Sequence, residues 1–437
     1  MRHRTLLSAV SLFLIPTAIT AQTVDTTATP ISLAEAIRLA QQNSVTTIQA
    51  RGSVRTSDAA VKQSYAAFLP SFSVSAGTQH QSGDRFDTQG NLVPFTGNPT
   101  NYSTGLSSSL QLFDGGRRFF DVKRSKADVN AAEAGETVSK YQVALQVKQQ
   151  YYNILAARES QSAATAQIQQ TEQQLRASSL RLRAGAATVS DSLRSVIALG
   201  NARLALLTAV NNLSVANATL TRLVASPQTI TATASDTIDQ QVVVPDIAEL
   251  IPLVDRAPAI QQADAQLASA HLSLRSAKSS FLPTVNLNFN RGGSGLDPAF
   301  GIGDKRYAYN QNLSFSLQFP LFNNLNREVN VARAIVAEDV ATASLRDTKL
   351  LARQTLVQSI GQMTTAQEQV SIQTASVAAA TEDLRVQQRR YELGATTLLD
   401  LLTSQTQLDN ARTALIRARY DYRVAKAQLE ALIGRDL

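Results

Sequence analysis

Few side chains in this chain could do chemistry. Its histidines are His3, His80 and His271, each alone in the sequence, and there is no cysteine. No His/carboxylate cluster stands at metal-ligand spacing, and no nucleophile has a base within a recognisable motif. Adjacent carboxylates such as Glu382-Asp383 point to different sides of a helix, which marks a solvated face. Gly115-Gly116 lacks the downstream Lys-Ser/Thr that completes a phosphate loop. The expectation is a protein that is not an enzyme, with no cofactor and no metal site.

Two acids recur in matched surroundings. Thr188-Val189-Ser190-Asp191 and Thr397-Leu398-Leu399-Asp400 each place an acid three residues after a threonine, the spacing of a capping box that satisfies helix-start amides. Each follows a glycine, Gly185 or Gly394, suited to ending the preceding helix and reversing the chain.

These residues match because the chain is written twice. A shift of 209 positions lays Gly185 on Gly394, Asp191 on Asp400 and Asn201-Ala202-Arg203 on Asn410-Ala411-Arg412. Leu199, Leu206, Leu213 and Leu220 fall on Leu408, Leu415, Tyr422 and Leu429, a heptad seam of paired helices in both copies. Ahead of each seam runs a helical segment, Gly116 to Ala184 and Asn324 to Gly394; the first has 69 residues, or roughly 100 Å. Each copy opens on a capped helix. Ser32-Leu33-Ala34-Glu35 begins one expected to reach about Ala67, and Asp246 with Glu249 begins its counterpart. Both end at Phe-Leu-Pro, residues 68–70 and 281–283, where proline forces the chain extended.

The period then becomes two. Val285, Leu287 and Phe289 interleave with Asn286, Asn288 and Asn290; Leu313, Phe315 and Leu317 interleave with Ser314, Ser316 and Gln318. In the first copy Phe72 and Val74 alternate with Ser73 and Ser75, and Leu110 and Leu112 flank Gln111. Soluble hairpins are one reading. Small uncharged polar partners and strand lengths near ~10 residues instead suit a water-filled membrane barrel, with Ser73, Ser75, Gln111, Asn286, Asn288, Ser314, Ser316 and Gln318 toward the lumen. Four strands cannot close around water, so such a subunit must oligomerise. Segments 83–100 and 292–306, rich in Gly, Pro, Asp and Asn, read as exposed loops.

Arg2 and Arg4 precede an apolar run and small residues up to Ala21, a secretory signal. Without Arg2 and Arg4 the formal charge falls from +7 to +5, unclustered, giving no reason to expect nucleic acid. No later apolar stretch approaches the ~20 residues of a membrane helix. The expected organisation is a signal at 1–21, a first repeat at 22–225, a linker at 226–245 and a second repeat at 246–437.

Strand hairpins set between long paired helices, duplicated behind a signal, resemble the TolC family of outer-membrane efflux ducts. The resemblance covers about Ile31 to Gly434. Its pieces are Leu33-Ala34-Glu35-Ala36-Ile37, both Phe-Leu-Pro ends, Leu112-Phe113-Asp114-Gly115-Gly116, Arg256-Ala257-Pro258, Arg390-Tyr391-Glu392-Leu393-Gly394 and Leu398-Leu399-Asp400-Leu401-Leu402. It implies an α+β membrane protein of a Gram-negative outer membrane: a homotrimer with four strands per subunit in one twelve-stranded barrel, and a coiled-coil helical barrel crossing the periplasm. It implies docking of a periplasmic adaptor at Gly185, Ala186, Tyr391, Gly394 and Ala395, an inner-membrane transporter behind it, and outer-membrane lipid around the strands. It also implies a periplasmic gate, with Asp400 and Asp191 as acidic rings. The chain departs from the family in having no cysteine for acylation and in carrying Leu182 where the second copy has Tyr391. Rival readings are a trimeric coiled-coil surface adhesin, whose strands would gather in one C-terminal anchor, and a soluble helical scaffold.

Overall fold

The computed structural model describes residues 28–94, 100–233, 247–302 and 306–435. The expected signal, His3, Asp246 and most of the expected linker lie outside these. In chain order the elements are β1 (Thr29–Ile31), α1 (Leu33–Asn43), α2 (Val45–Ala66), β2 (Ser71–His80), β3 (Asp84–Phe86), β4 (Leu92–Pro94), β5 (Thr100–Phe113), α3 (Arg117–Arg183), α4 (Val189–Val224) and β6 (Ile230–Ala232). Then follow α5 (Ile247–Val254), α6 (Pro258–Lys278), β7 (Thr284–Gly295), β8 (Tyr307–Gln318), α7 (Asn326–Glu392) and α8 (Leu398–Ile433).

The internal repeat sets the helix ends. Helices α3 and α7 have 67 residues each and α4 and α8 have 36 each, at a constant shift of 209. The turn into each long helix needs two left-handed residues. The first copy supplies Gly115 and Gly116 with φ of 73° and 84°; the second uses Asn324 and Leu325 at 57° and 60°. Gly115 also has no room for a side chain, since a Cβ there would meet the Ser279 carbonyl oxygen and Leu282.

Helix α3 packs on α4 and α8, and α8 on α7, so the four run side by side in the order α4, α3, α8, α7. A buried apolar belt clamps each pair. Val143, Val147, Tyr151 and Ile154 of α3 join Ala216, Leu220 and Val224 of α4 under Ala36 and Ala40 of α1. Shifted by 209, Ala352, Leu356 and Met363 of α7 join Ala425, Leu429 and Ile433 of α8 under Leu250 and Val254 of α5. Strand β6 pairs in parallel with β1 beside the first belt, where Tyr151 donates its hydroxyl to the Ile31 carbonyl at 3.1 Å.

Three expectations need correction. The helix from Ser32 to about Ala67 is broken at Ser44, which turns extended (ψ 140°) and caps α2 by accepting from the Thr47 amide at 3.2 Å. Ser32 accepts from the Glu35 amide at 3.3 Å, but the Glu35 carboxylate turns to Arg38 at 2.6 Å, so only half of that capping box forms. Segment 83–100 holds a short hairpin, β3 with β4. In addition, α4 is long and apolar enough by composition to cross a membrane, against the expectation that no such stretch follows the signal. Its apolar residues are divided between exposed ones such as Leu193, Ile197 and Leu207 and buried ones such as Leu199, Leu220 and Val224.

The four long strands form one antiparallel sheet in the order β2-β5-β7-β8, with β2 and β8 at its edges. Strands β5 and β7 join the two copies through eleven residue pairs, with a bulge between Gln111 and Phe113.

Candidate functional site: the two faces of the sheet and the helix tips

Register sorts the sheet into two faces of opposite chemistry. Ser71 pairs with Ser109, Ser109 with Asn288 and Asn288 with Ser314; the neighbouring row on that face is Ser73, Ser107, Asn290 and Asn312. Ser73, Ser75, Gln111, Asn286, Asn288, Ser314, Ser316 and Gln318 all fall on this face. It holds only Ser, Thr, Asn, Gln, Gly and Ala308, without one charge. Ser73 and Ser107 share a hydroxyl bond of 2.5 Å, and Ser109 donates to Asn288 Oδ1 at 2.9 Å.

The other face is apolar toward the helices, with Leu110, Leu287 and Phe315 in one row and Phe289 beside Leu313; Ser108 interrupts it, and it turns polar toward the loops at His80, Thr104, Arg291 and Gln311. Aromatic groups border it at both ends. At the loop end Tyr307 lies over β7 and donates to the Gly293 carbonyl at 3.0 Å, while Tyr102 meets Phe300 edge-to-face at 5.4 Å. At the helix end Arg118 stacks on Phe68 at 4.7 Å, and its equivalent Arg327 stacks on Phe281 at 4.9 Å. Arg118 is also tied to the buried Asp114 at 2.9 Å and to the Ala67 carbonyl at 3.1 Å. An apolar band bordered by aromatic groups is the pattern of strands that face lipid.

At the opposite end of the helices lie the two reversals. Gly185 is left-handed (φ 71°); its amide donates to the Leu182 carbonyl at 3.0 Å and the Ala186 amide to the Arg181 carbonyl at 2.8 Å. Gly394 and Ala395 repeat this with Tyr391 at 3.1 Å and Arg390 at 2.8 Å, a Schellman ending in both copies. Gly185, Ala186, Gly394 and Ala395 are exposed, and a side chain at either glycine would point into open space.

Asp191 and Asp400 both complete capping boxes. Asp191 Oδ2 accepts from the Thr188 amide at 3.1 Å and hydroxyl at 2.8 Å, and the Asp191 amide donates to Thr188 Oγ1 at 3.2 Å. Asp400 Oδ2 accepts from the Thr397 hydroxyl at 2.7 Å, the Thr397 amide at 3.1 Å and the Thr396 hydroxyl at 2.9 Å. Hydroxyl donation from Thr188 holds the Asp191 carboxyl below the usual carboxylate range; donation from Thr397 and then Thr396 does the same for Asp400. Both acids therefore stay charged through the neutral range.

The residue that joins the two tips, Arg181, was not among those expected. It reaches from α3 to the end of α7, stacking on the Tyr391 ring at 4.3 Å and donating to the Tyr391 carbonyl at 3.0 Å. Its equivalent Arg390 stays local, 3.5 Å from the Ala395 carbonyl. A basic residue at the same place in both copies was the available signal.

A membrane-type strand set at one end of a helix layer long enough to cross a second compartment defines a membrane-anchored duct. The model of the outer membrane efflux protein family matches residues 36–226 and 253–435, and the chain belongs to that family. It is therefore an outer-membrane protein. It is 25% identical to the pyoverdine export outer membrane protein OpmQ of Pseudomonas aeruginosa over 76% of this chain and 68% of that one. It is 25% identical to the probable efflux pump outer membrane protein TtgC of Pseudomonas putida, over 42% of this chain and 37% of that one. Among solved structures, CusC superposes with a TM-score of 0.79 at 18% identity over 93% of this chain and 94% of CusC. The open-state outer membrane channel MtrE of Neisseria gonorrhoeae gives 0.75 at 19% identity, over 92% and 89%. The adhesin reading fails: the strands come as two hairpins, one per repeat, rather than one C-terminal anchor.

Proposed function

We propose that this protein is the exit duct of a tripartite efflux or export system, a passive aqueous path from the periplasm through the outer membrane. It carries out no chemical step; energy enters from an inner-membrane transporter through a periplasmic adaptor. The observation that carries this reading is the sheet, uncharged and polar on one face and apolar over the helix-side part of the other, with both edges unpaired.

Three copies, β8 of each beside β2 of the next, would close a twelve-stranded barrel with the serine and asparagine face inward. The helix layer supports the same closure. Leu207 of α4 and Val336 and Val340 of α7 are exposed on its two outer edges, and a neighbouring copy would cover them. Gly185, Ala186, Tyr391, Gly394 and Ala395 would meet the adaptor, because bare reversals let a partner approach the backbone. In a closed trimer Asp191 and Asp400 would form acidic rings at the periplasmic end. Their capping bonds are compatible with that role, since a capped carboxylate keeps its charge. The relatives are named for pyoverdine export and for pump-driven efflux, so they share the duct rather than one cargo.

The test is native mass spectrometry and planar-bilayer conductance of the full chain, with a photo-crosslinker at Ala395 in the cell. A trimer that conducts and captures a periplasmic adaptor is expected. A monomer, or a profile confined to the inner membrane, overturns the reading.

A further inference from the structure

Beside the belts, the described chain holds a groove of about 1050 Å³ between α4 and α8, floored by α3. It lies on the face turned away from α1 and α5. On α3, Val147, Tyr151 and Ile154 pack in the α1 cluster, whereas Ala156, Ser160 and Ala163 line the groove. On α8, Tyr422 and Leu429 pack in the α5 cluster, whereas Asp409 and Ile416 line the groove. In a closed tube of such layers the groove opens to the interior.

Its three sides differ in chemistry. The floor is small, the α4 wall offers Leu204 and Val215, and the α8 wall carries Asp409, Arg412, Arg417 and Asp421. Asp409 is partly buried and accepts from Gln167 Nε2 at 2.6 Å; burial raises its carboxyl, against the pull of Arg412. Among the described residues Arg412 and Arg417 make no hydrogen bond and no ion pair within 4.0 Å, and each acts only at longer range on a carboxylate, Arg412 on Asp409 and Arg417 on Asp421. The pattern is not inherited from the duplication. Shifted by 209, the same four places hold Gly200, Arg203, Thr208 and Asn212.

We propose that this groove is a binding station for zwitterionic amphiphiles, small organic molecules with an ammonium group, a carboxylate or phosphate, and an apolar body. The anion pairs with Arg412 or Arg417, the ammonium with Asp409 or Asp421, and the body lies on Leu204, Val215 and Ile416. A molecule with one charge gains one partner and meets a like charge close by. The volume suits such a ligand, since small-molecule sites run to roughly 300–1,000 Å³. This inference rests on the duct reading, because only there does the groove face passing cargo.

The test uses the full chain in amphipol and three fluorescent probes: Nε-dansyl-lysine (zwitterion), dansylglycine (anion) and dansylcadaverine (cation). Saturable enhancement is expected for the zwitterion, at least about fivefold tighter than either singly charged probe, the weight of one partly exposed ion pair. Arg412→Gln with Arg417→Gln, or Asp409→Asn, should each weaken it about fivefold with the trimer intact. Ala163→Trp should fill the floor and abolish it. Charge-blind binding, or binding that survives all these changes, overturns the station. Bilayer conductance of the same samples separates the two ideas: a conducting trimer without selective binding removes only the station, and a silent wild type removes the duct and the station together.

Discussion

The Arg181 guanidinium lies 4.3 Å from the centre of the Tyr391 ring and donates to the Tyr391 carbonyl at 3.0 Å. These residues are 210 apart in sequence and belong to different repeats. Their contact ties the two reversals of one chain to each other. A cation–π contact at an exposed site contributes about 0.5–1 kcal/mol, so one substitution should loosen the tips without unfolding them.

Arg181→Ala should broaden the distance between spin labels at Ala186 and Ala395 and raise single-channel conductance. Tyr391→Phe keeps the ring and the carbonyl and should change neither. Tyr391→Leu, copying Leu182 of the first repeat, should behave like Arg181→Ala. An unaltered label distance in Arg181→Ala would show that packing alone couples the tips.

The two sheet faces should respond oppositely to one substitution. Phe315→Arg puts a charge on the apolar face, at about 2–4 kcal/mol near the membrane midplane, and should deplete folded protein from the outer membrane. Ser316→Arg, one residue on, should assemble normally and shift ion selectivity toward anions. Equal losses of assembly in both would contradict the assigned inside and outside.

The helix edges should carry assembly. Leu207→Arg or Val340→Glu places a charge where apolar surface awaits a neighbour, and native mass spectrometry should show monomer accumulating. The exposed Thr208→Arg, on the groove side of α4, should leave the trimer intact.

Acid should spare the tips until the pH is low. Asp191 and Asp400 have folded pKa values depressed by threonine donors. Their contribution is full above the unfolded carboxylate pKa of about 4 and is lost as pH falls through the folded values. Hydrogen exchange at the tip amides should therefore be flat, after correction for intrinsic rate, from pH 7 to pH 5. Thr397→Val removes the leading donor to Asp400 and should move the onset of fraying to higher pH. Fraying of the wild type already at pH 5 would contradict this account.

Sequence carried much of the fold because the repeat supplied two readings of every boundary. Gly185 with Gly394, the Phe-Leu-Pro ends and the period-two strands each marked a place where local chemistry decides the backbone. The Ser44 break was hidden because serine is tolerated in a helix and caps one only when the chain turns for tertiary reasons. Arg181 was missed because its partner comes from the other repeat, and the groove because three distant segments build it. The exposure of Leu207 and Val336 was not legible, since period alone cannot say which copy covers an apolar position.

The equal helix lengths have a mechanical consequence. From Ile154 to Arg183, and from its equivalent Met363 to Glu392, each chain has 29 residues beyond the clamped belt, or about 44 Å of helix at 1.5 Å per residue. These are lever arms of one length on two matched fulcrums. A tilt of about 5° at a belt would swing its tip by about 4 Å, as far in one repeat as in the other. An aperture framed by such arms would dilate evenly under a small torque applied at the belts.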